Sequence, residues 1–377
     1  MRTDVKAEAR GLSRRGLLKA GAAGFLLVGF RIPLVHAASD TFAPNAFIRV
    51  GDDDVVTLVM PQVEMGQGIY TTLAMVLADE MDADFNKVVL QHAPPDKAYV
   101  NPIFGVQATG GSTSVRAFWD PLRKAGASAR GMLVAAAAEQ WGVDASSCRT
   151  SNNEVIHDAS SRKISYGAIA ASAATMKPVA DPKLKDAKDY TLIGKPVKRK
   201  DTPDKTTGAS KYGIDAMPAG VKFAAIAQCP VFGGKVGHVD DAKAKQIKGY
   251  RQFVAEDDFV AAIADTTWAA LQSLDALDVK WDEGPNANVN SEQIQEALRA
   301  ASKGPGAVAK QTGDVKSALA GGTRYDAVYE LPFLAHATME PLNCTVHYTK
   351  DACEVWIGTQ VVGRVQEDVA KAVGLPV

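Results

Sequence analysis

Alternating apolar and polar positions near the start of the chain predict a β-hairpin. Residues 46–50 and 55–60 alternate in this way on either side of Gly51-Asp52-Asp53-Asp54, which is typical of a turn. A short polar turn, Glu64-Met65-Gly66-Gln67-Gly68, follows the second strand, and apolar residues then recur at helical spacing over 73–81. With a further strand at 87–91, the pattern predicts strand, glycine-bearing turn, helix and strand.

The rest of the pattern mixes helices and strands, so we predict an α+β chain. Up to residue 190 we expect helices at 115–140 and 166–175, with short strands at 148–157 and 162–165. Residues 177–200 are basic, contain prolines and lack periodicity, which is typical of a linker between domains. Beyond it, strands are predicted at 221–228, 251–254, 260–264, 278–281, 325–331, 344–348 and 353–357, and helices at 269–277, 291–301 and 363–373.

Two glycine-bearing turns are the candidate binding elements. In the first turn, Gly66 and Gly68 have no Cβ, so backbone N–H groups can approach a ligand closely, next to the positive end of the following helix. In the second turn, Thr109-Gly110-Gly111-Ser112-Thr113-Ser114, hydroxyl groups beside a glycine pair suit phosphate or pterin oxygens. The alternatives are a tight turn that binds nothing and a loop with a serine-type helix cap.

The first turn comes within one residue of the dinucleotide-binding fingerprint, but two features argue against that fold. Thr71 stands where the third glycine would allow close packing of helix on strand. The next strand ends in Gln91-His92-Ala93, which offers no acid for a ribose hydroxyl. A nicotinamide-dependent dehydrogenase is therefore the weakest of the functions considered.

Composition and charge narrow the function classes further. Residues 1–37 carry seven Lys or Arg and two Asp or Glu, so the other residues, with 35 basic and 41 acidic side chains, have a net charge of −6. That balance disfavours a general nucleic-acid binder. The four cysteines show no C-x-x-C spacing and the six histidines no H-x-x-x-H pair, so no iron–sulfur or protein-ligated metal site is expected in this chain.

The first 37 residues predict export. Arg14-Arg15 precedes an uncharged, mildly apolar run at 20–30, and Val35-His36-Ala37 offers small residues for cleavage after Ala37. The run is too short to span a bilayer comfortably. The segment resembles a Tat signal peptide, which would send the protein to the periplasm; a membrane anchor or a chance arginine pair is the alternative.

Other polar residues have weaker functional interpretations. Glu340 is either a catalytic carboxylate or a structural one that caps backbone N–H groups, and Gln360 follows a predicted strand end, where side chains often face sites. Asp204, Lys205 and Asp215 are interpreted as solvated turn residues.

Taken together, these segments resemble the large molybdopterin-binding subunits of the xanthine dehydrogenase/aldehyde oxidoreductase family, in particular the branch of exported isoquinoline 1-oxidoreductase large chains. Met65-Gly66-Gln67-Gly68 resembles a cofactor turn of the family, and Gly111-Ser112-Thr113-Ser114 its small-residue pterin turn. Lys205-x-Thr207-Gly208-x-x-x-Tyr212-x-x-Asp215 is similar to its hammerhead domain. Met339-Glu340-Pro341 and Gly358-Thr359-Gln360 resemble the start of its first cofactor domain, and the order of segments is permuted as in the isoquinoline branch.

The resemblance implies four regions and a cofactor. The regions are a Tat-type signal peptide at 1–37, a molybdopterin-binding domain at 40–190, an α/β-hammerhead domain at 198–285 and the start of a second molybdopterin-binding domain at 286–377. Molybdenum would be held by a molybdopterin, expected as the cytosine dinucleotide, without protein ligands. The expected cofactor contacts are Gly66, Gln67, Gly68, Gly111, Ser112, Thr113, Ser114 and Gln360.

The implied activity is oxidation of N-heterocyclic aromatics or aldehydes with water as the oxygen source. Electrons would leave through a small subunit carrying two [2Fe–2S] clusters, with a cytochrome c as a further acceptor. The family's general-base glutamate follows a later segment that these 377 residues do not contain, so no catalytic residue is assigned here and the chain is expected to be an N-terminal portion. The alternative is a non-catalytic molybdopterin-binding or assembly module.

Overall fold

The computed structural model describes residues 46–377 and the backbone of 26–29. The predicted signal peptide and its cleavage point after Ala37 therefore lie outside the described residues, apart from 26–29. The chain divides into two compact units: one extends to Asp215 and resumes at Asn343–Val377, and the other is Ala216–Leu342. These limits differ from the predicted domain boundaries, because 198–215 and the last 35 residues (343–377) belong with the first unit.

A four-stranded sheet forms one layer of the first unit. Its order is β1 (Leu26–Gly29), β2 (Ala46–Val50), β3 (Val56–Met60) and β4 (Val88–His92). β1–β2 and β2–β3 are antiparallel, which confirms the predicted hairpin, whereas β3 and β4 are parallel. Helix α1 (Ile69–Met81) makes the crossover between the two parallel strands, as such pairing requires. The first turn therefore sits where β3 ends and α1 begins.

Helix α2 (Ser114–Trp141) packs along α1 and buries an apolar stripe against the sheet. Gly126 allows the two helices to approach closely, because a Cβ there would lie 2.5 Å from the carbonyl oxygen of Leu77. A small antiparallel sheet and a short helix complete this part of the unit: β5 (Arg149–Ser151), β6 (Glu154–His157), β7 (Arg162–Ser165) and α3 (Tyr166–Ala173).

Residues 177–200, predicted as a linker, are held against the first unit; we call them the strap. Asp79, at the end of α1, is fully buried and accepts hydrogen bonds from the backbone N–H groups of Leu192 and Ile193 at 3.0 and 2.8 Å. Lys185 Nζ lies 3.0 Å from the same carboxylate, and the guanidinium of Arg123 donates to the Lys185 carbonyl at 2.6 Å. Lys185 thus pairs the strap with a buried acid of α1.

The second unit contains two small sheets and their helices. β10 (Tyr250–Ala255), β11 (Phe259–Ala264) and β8 (Phe223–Gln228) form an antiparallel sheet that α5 (Thr267–Ala276) covers, and β12 (Asp278–Asp282) pairs with β9 (Lys235–Asp240). Strand β9 was not predicted, because its Gly and His positions interrupt the apolar pattern. Helices α6 (Ser291–Ala301) and α7 (Val315–Ala320) follow.

The predicted strand at 325–331 is wrong. Those residues have no regular secondary structure, and Tyr325, Val328 and Tyr329 are exposed. A strand needs a neighbour to accept its backbone hydrogen bonds, and none pairs with this segment among the described residues.

The chain returns to the first unit with a hairpin and a helix, β13 (Cys344–Thr349), β14 (Ala352–Ile357) and α8 (Val362–Val373). The short helix α4 (Thr202–Thr207), unpredicted in a polar stretch, also belongs to this unit. None of the helices in the described part of the chain has both the length and the apolar character needed to cross a bilayer.

Candidate functional site

The first turn is closed around the side chain of Glu64. Gly66 and Gly68 adopt positive φ angles of 102° and 88°, which turn their N–H groups inward. The Glu64 carboxylate accepts hydrogen bonds from the N–H groups of Gly66, Gly68 and Tyr70 at 2.8, 2.9 and 3.1 Å. These are the groups that the sequence suggests for an anionic ligand, so the protein's own carboxylate already occupies that cradle.

Gln67 is exposed but folds back on the first turn. Its Oε1 accepts from the Met65 N–H at 2.7 Å, and its Nε2 donates to the Val63 carbonyl at 3.0 Å. Both the oxygen and the nitrogen of the Gln67 amide therefore bond to the backbone, which stabilises the conformation of the turn at the N-terminus of α1.

The second turn uses its buried hydroxyls inside the protein. Thr113 Oγ1 donates to the Gly110 carbonyl at 2.8 Å and accepts from Asn101 Nδ2 at 2.9 Å. The Ser114 hydroxyl donates to Gln62 Oε1 at 2.9 Å. Thr113 and Ser114 thus contact protein groups in this structure, whereas Gly111 and Ser112 are the exposed members of the turn.

Hydrogen bonds join the two turns and Gln360 into one place. The Val63 N–H donates to Thr109 Oγ1 at 2.8 Å, which fixes the second turn beside the first. The Thr109 N–H donates to the Gln360 carbonyl at 2.9 Å, and Gln360 Nε2 donates back to the Thr109 carbonyl at 2.7 Å. Three segments far apart in the sequence thus meet within the first unit.

A tyrosine–histidine pair that sequence reasoning missed lies beside the first turn. The Tyr70 hydroxyl is 2.7 Å from His92 Nδ1. Burial, with the charges of Glu64 and Asp201, raises the pKa of Tyr70 to about 12, and burial lowers the pKa of His92. At neutral pH the phenol therefore donates to a neutral imidazole. The position of His92 at the end of β4 is the signal that could have revealed it.

A second missed group is Arg199, which the strap brings to the first turn. Its Nη2 lies 3.1 Å from Glu64 Oε1 and its Nη1 donates to the Gly66 carbonyl at 2.8 Å. Asp201 accepts from Nε and Nη2 at 2.9 and 2.7 Å. These bonds from Arg199, with the neighbouring Lys205, hold the pKa of Asp201 far below its usual range.

The remaining sequence candidates have local roles or lie exposed. Lys205 pairs with Asp201 at 2.6 Å, and the Asp215 carboxylate accepts from the Tyr212 N–H at 2.9 Å. Asp204 is exposed in α4. Glu340 is exposed in the irregular segment that precedes β13, in the second unit.

The chemistry of the joined turns fits a pterin. Among the described residues, no atom lies within 4 Å of where a Cβ would stand on Gly66 or Gly68, so the backbone surface there is open. Among the polar side chains here, Gln67, Ser112 and Gln360 are neutral amides and a hydroxyl, while the charged Glu64 and Arg199 are paired with each other. Such neutral groups match the alternating donors and acceptors of a pterin ring. A phosphate fits the first turn poorly, because Glu64 holds its N–H groups.

Comparison with known families agrees with this chemistry. A model described as a molybdopterin cofactor-binding domain matches residues 3–227, which is more than half of the chain. A second model with the same description matches residues 301–377.

Curated relatives cover nearly the whole chain. It is 31% identical to a membrane-bound aldehyde dehydrogenase (pyrroloquinoline-quinone) of Gluconacetobacter polyoxogenes, over 99% of this chain and 51% of that protein. It is also 31% identical to the β-subunit of isoquinoline 1-oxidoreductase of Brevundimonas diminuta, over 93% of this chain and 52% of that protein. A nicotinate dehydrogenase subunit of Pseudomonas putida is 27% identical, over 86% of this chain and 28% of that protein.

The chain spans about half the length of the first two of these relatives. The matching domain models, the relatives and the donor set of the two turns agree on one family. The chain belongs to the molybdopterin-binding family of molybdenum hydroxylases.

Proposed function

We propose that this chain provides the pterin-holding part of a molybdenum hydroxylase large subunit. The observation that carries the proposal is the pair of hydrogen bonds between Thr109 and Gln360, which join the last segment of the chain to the second turn. The bond from Val63 to Thr109 adds the first turn to the same surface. A binding site assembled from such distant segments is held by the fold, which is how cofactors are positioned.

In this proposal the three segments hold the cofactor with their backbone and neutral side chains. Gly66, Gln67 and Gly68 form one side, Gly111 to Ser114 a second, and the Gln360 amide the third. Thr113 and Ser114 act mainly by fixing the second turn, because their hydroxyls are engaged with Gly110 and Gln62. When bound, the cofactor supplies the redox-active metal that takes electrons from the substrate carbon. The chain's own residues bind and orient it.

The finer features of the proposal follow the relatives and the sequence. The substrate class is an N-heterocyclic aromatic or an aldehyde, oxidised with water as the oxygen source, in line with the names of the relatives. We assign the pterin as the cytosine dinucleotide form, the middle of the chain as a hammerhead domain and the region from 286 as part of a second molybdopterin-binding domain. Export by the Tat pathway to the periplasm and cleavage after Ala37 belong to the same proposal.

The partners are proposed on the same basis. Two of the relatives are named as subunits, which supports a multi-subunit enzyme. We assign a small subunit with two [2Fe–2S] clusters as the electron acceptor, with a cytochrome c beyond it. The alternative function is a molybdopterin-binding or assembly module without turnover, and the neutral side chains of Gln67, Ser112 and Gln360, which suit binding, are the observation in its favour.

Metal and pterin analysis tests this function. The protein, produced with its natural partner chains in a host that makes the cofactor, is expected to carry molybdenum and pterin in equal amounts. Gln360→Ala removes the side-chain hydrogen bond to the Thr109 carbonyl, worth about 1 kcal/mol, keeps the backbone bond, and should lower molybdenum retention about fivefold. Gln311→Ala, at an exposed glutamine of the other unit, is the matched control and should retain wild-type content.

Two outcomes separate the candidates. A wild-type protein with neither molybdenum nor pterin contradicts the proposed function. Bound cofactor together with oxidation of quinoline-type or aldehyde substrates supports the enzyme, whereas bound cofactor without turnover supports the binding module.

A further inference from the structure

The first turn contains an anion of its own. The Glu64 side chain is only 6% exposed, and its carboxylate collects three converging backbone N–H groups. A buried carboxylate is costly unless it is hydrogen-bonded and paired with a cation. Arg199 is that cation, since its Nη2 lies 3.1 Å from Glu64 Oε1.

Arg199 binds the turn at two points and is itself held. Its Nη1 donates to the Gly66 carbonyl, so one guanidinium bridges the carboxylate and the backbone that surrounds it. Asp201 orients the guanidinium from the other side with two hydrogen bonds. This bidentate arrangement fixes the plane of the arginine side chain, which lysine could not reproduce.

The strap is anchored next to this arginine. The Lys200 N–H donates to Thr71 Oγ1 at 3.0 Å, and Lys200 Nζ donates to the Phe85 carbonyl at 2.8 Å. Thr71 belongs to the first turn of α1, so the strap and the start of α1 are fastened together. The shape of the first turn therefore depends on a segment more than 130 residues later in the sequence.

We propose that Glu64 and Arg199 are positioning residues of the cofactor site: the carboxylate shapes the first turn from within, and the strap's guanidinium holds the carboxylate there. This inference rests on the proposed function for its effect on the cofactor. The turn then presents its outer backbone and Gln67 to a neutral hydrogen-bonding part of the ligand. It does not receive phosphate, because the resident carboxylate already satisfies the inward N–H groups.

Amide hydrogen exchange in the cofactor-free protein tests the internal contacts directly. Glu64→Ala and Arg199→Ala should speed exchange of the Gly66, Gly68 and Tyr70 amides at least tenfold, while the Leu58 amide in β3 keeps its rate and reports an intact fold. Arg199→Lys should give an intermediate exchange rate, because lysine keeps the positive charge but cannot make the paired hydrogen bonds of the planar guanidinium. Arg149→Ala, at an exposed arginine that pairs with Asp158 at 2.7 and 2.9 Å, is the matched control and should match wild type.

Molybdenum retention tests the link to the cofactor. In the protein made with its partner chains, retention should fall in the order Arg149→Ala, Arg199→Lys, Arg199→Ala, with the first equal to wild type and the last at least tenfold lower. Turn amides that exchange at wild-type rates in Glu64→Ala or Arg199→Ala would overturn the positioning role. Wild-type retention in Arg199→Ala would overturn its effect on the cofactor. Absence of molybdenum from the wild type itself would refute the proposed function and leave the exchange result to be judged independently.

Inorganic phosphate probes the nature of the ligand. Wild-type protein should gain no protection of the turn amides at millimolar phosphate. Protection of those amides by phosphate in the wild type would show that the turn accepts an anion and would overturn the assignment to a neutral part of the ligand.

Discussion

Ser112 has a left-handed backbone conformation, with a φ of 51°, in the second turn. A residue with a Cβ pays about 1 kcal/mol of backbone strain in this conformation, whereas glycine does not. Its hydroxyl is on an exposed residue, while the neighbouring Thr113 and Ser114 hydroxyls are engaged in internal bonds. Strain of this kind is often retained at binding sites. The hydroxyls of Thr113 and Ser114 therefore stabilise the second turn, whereas the Ser112 hydroxyl is available to a ligand.

Ser112→Gly should separate stability from binding. Glycine removes about 1 kcal/mol of backbone strain and adds about 0.5 kcal/mol of entropy cost, so the free energy of unfolding should rise by about 0.5 kcal/mol. Molybdenum retention should fall at the same time, because the hydroxyl is gone. Denaturant unfolding and metal analysis measure the two effects. Ser112→Ala is the control, which loses the hydroxyl and keeps the strain; a less stable Ser112→Gly protein would contradict the account.

Helix α1 is tied to other segments at both of its ends. The helix begins directly after the first turn, and its Tyr70 N–H donates to Glu64. Its C-terminal end carries the buried acids Asp79 and Glu80. Glu80 accepts from Arg123 Nε at 2.7 Å, which ties α1 to α2. Asp79 holds the strap, and the strap brings Arg199 back to the other end of the helix. The helix and the strap thus stabilise the candidate site jointly.

Acid should release the strap from α1. Burial would raise the pKa of Asp79, but the N–H groups of Ile193 and Leu192 and the Lys185 ammonium outweigh it, so the pKa is lowered. Because the pKa of Asp79 is lower in the folded than in the unfolded protein, its carboxylate stabilises the folded state fully above the unfolded pKa of about 4. This stabilisation is lost as the pH falls through the folded pKa. Proteolysis within the strap should therefore accelerate below about pH 4. An unfolded control peptide reports how the protease itself responds to pH. If the cleavage rate of the strap changes with pH only as much as that of the peptide, the strap is not released by acid.

Asp79→Asn tests the same contact at neutral pH. The asparagine side chain carries no charge to pair with Lys185, and its NH2 group faces backbone N–H groups that are themselves donors. The free energy of unfolding should therefore fall by about 3 kcal/mol. The variant should also lose part of the pH dependence below about pH 4. Asp158→Asn, which removes an exposed pair with Arg149, is the control and should leave the unfolding midpoint nearly unchanged. Equal effects of the two substitutions would refute the role of Asp79 in holding the strap.

The candidate site belongs to one unit that is built from two separate stretches of chain. Gln360 reaches the second turn from 251 residues away, after the chain has formed the other unit. The site therefore needs both stretches to fold together, and loss of the final segment should remove one of its three sides.

Local pattern predicted much of this fold. Periodicity located the first hairpin, α1 and α2, because each buries an apolar face that the sequence displays. The residues of the two turns were also visible as glycines and hydroxyls. The strand predicted at 325–331 failed because an apolar stretch does not specify its partner.

The rest depends on tertiary contacts that no local pattern encodes. Glu64 looks like an ordinary polar residue before the glycines, and its role appears only when three N–H groups converge on it. Arg199 and Asp79 gain their roles from a strap that composition marks as a linker. Gln360 is predicted as a cofactor contact only through the family resemblance, because the residues alone indicate only that it lies at a strand end.

A crystal structure of the cofactor-loaded protein, produced together with the proposed partner chains and with the metal located by anomalous scattering at the molybdenum edge, tests the three-sided site most directly. We expect a pterin in contact with the first turn, the second turn and Gln360, and Glu64 still bonded to the N–H groups of Gly66 and Gly68. A pterin bound away from these three segments, or one that touches only one of them, would contradict it.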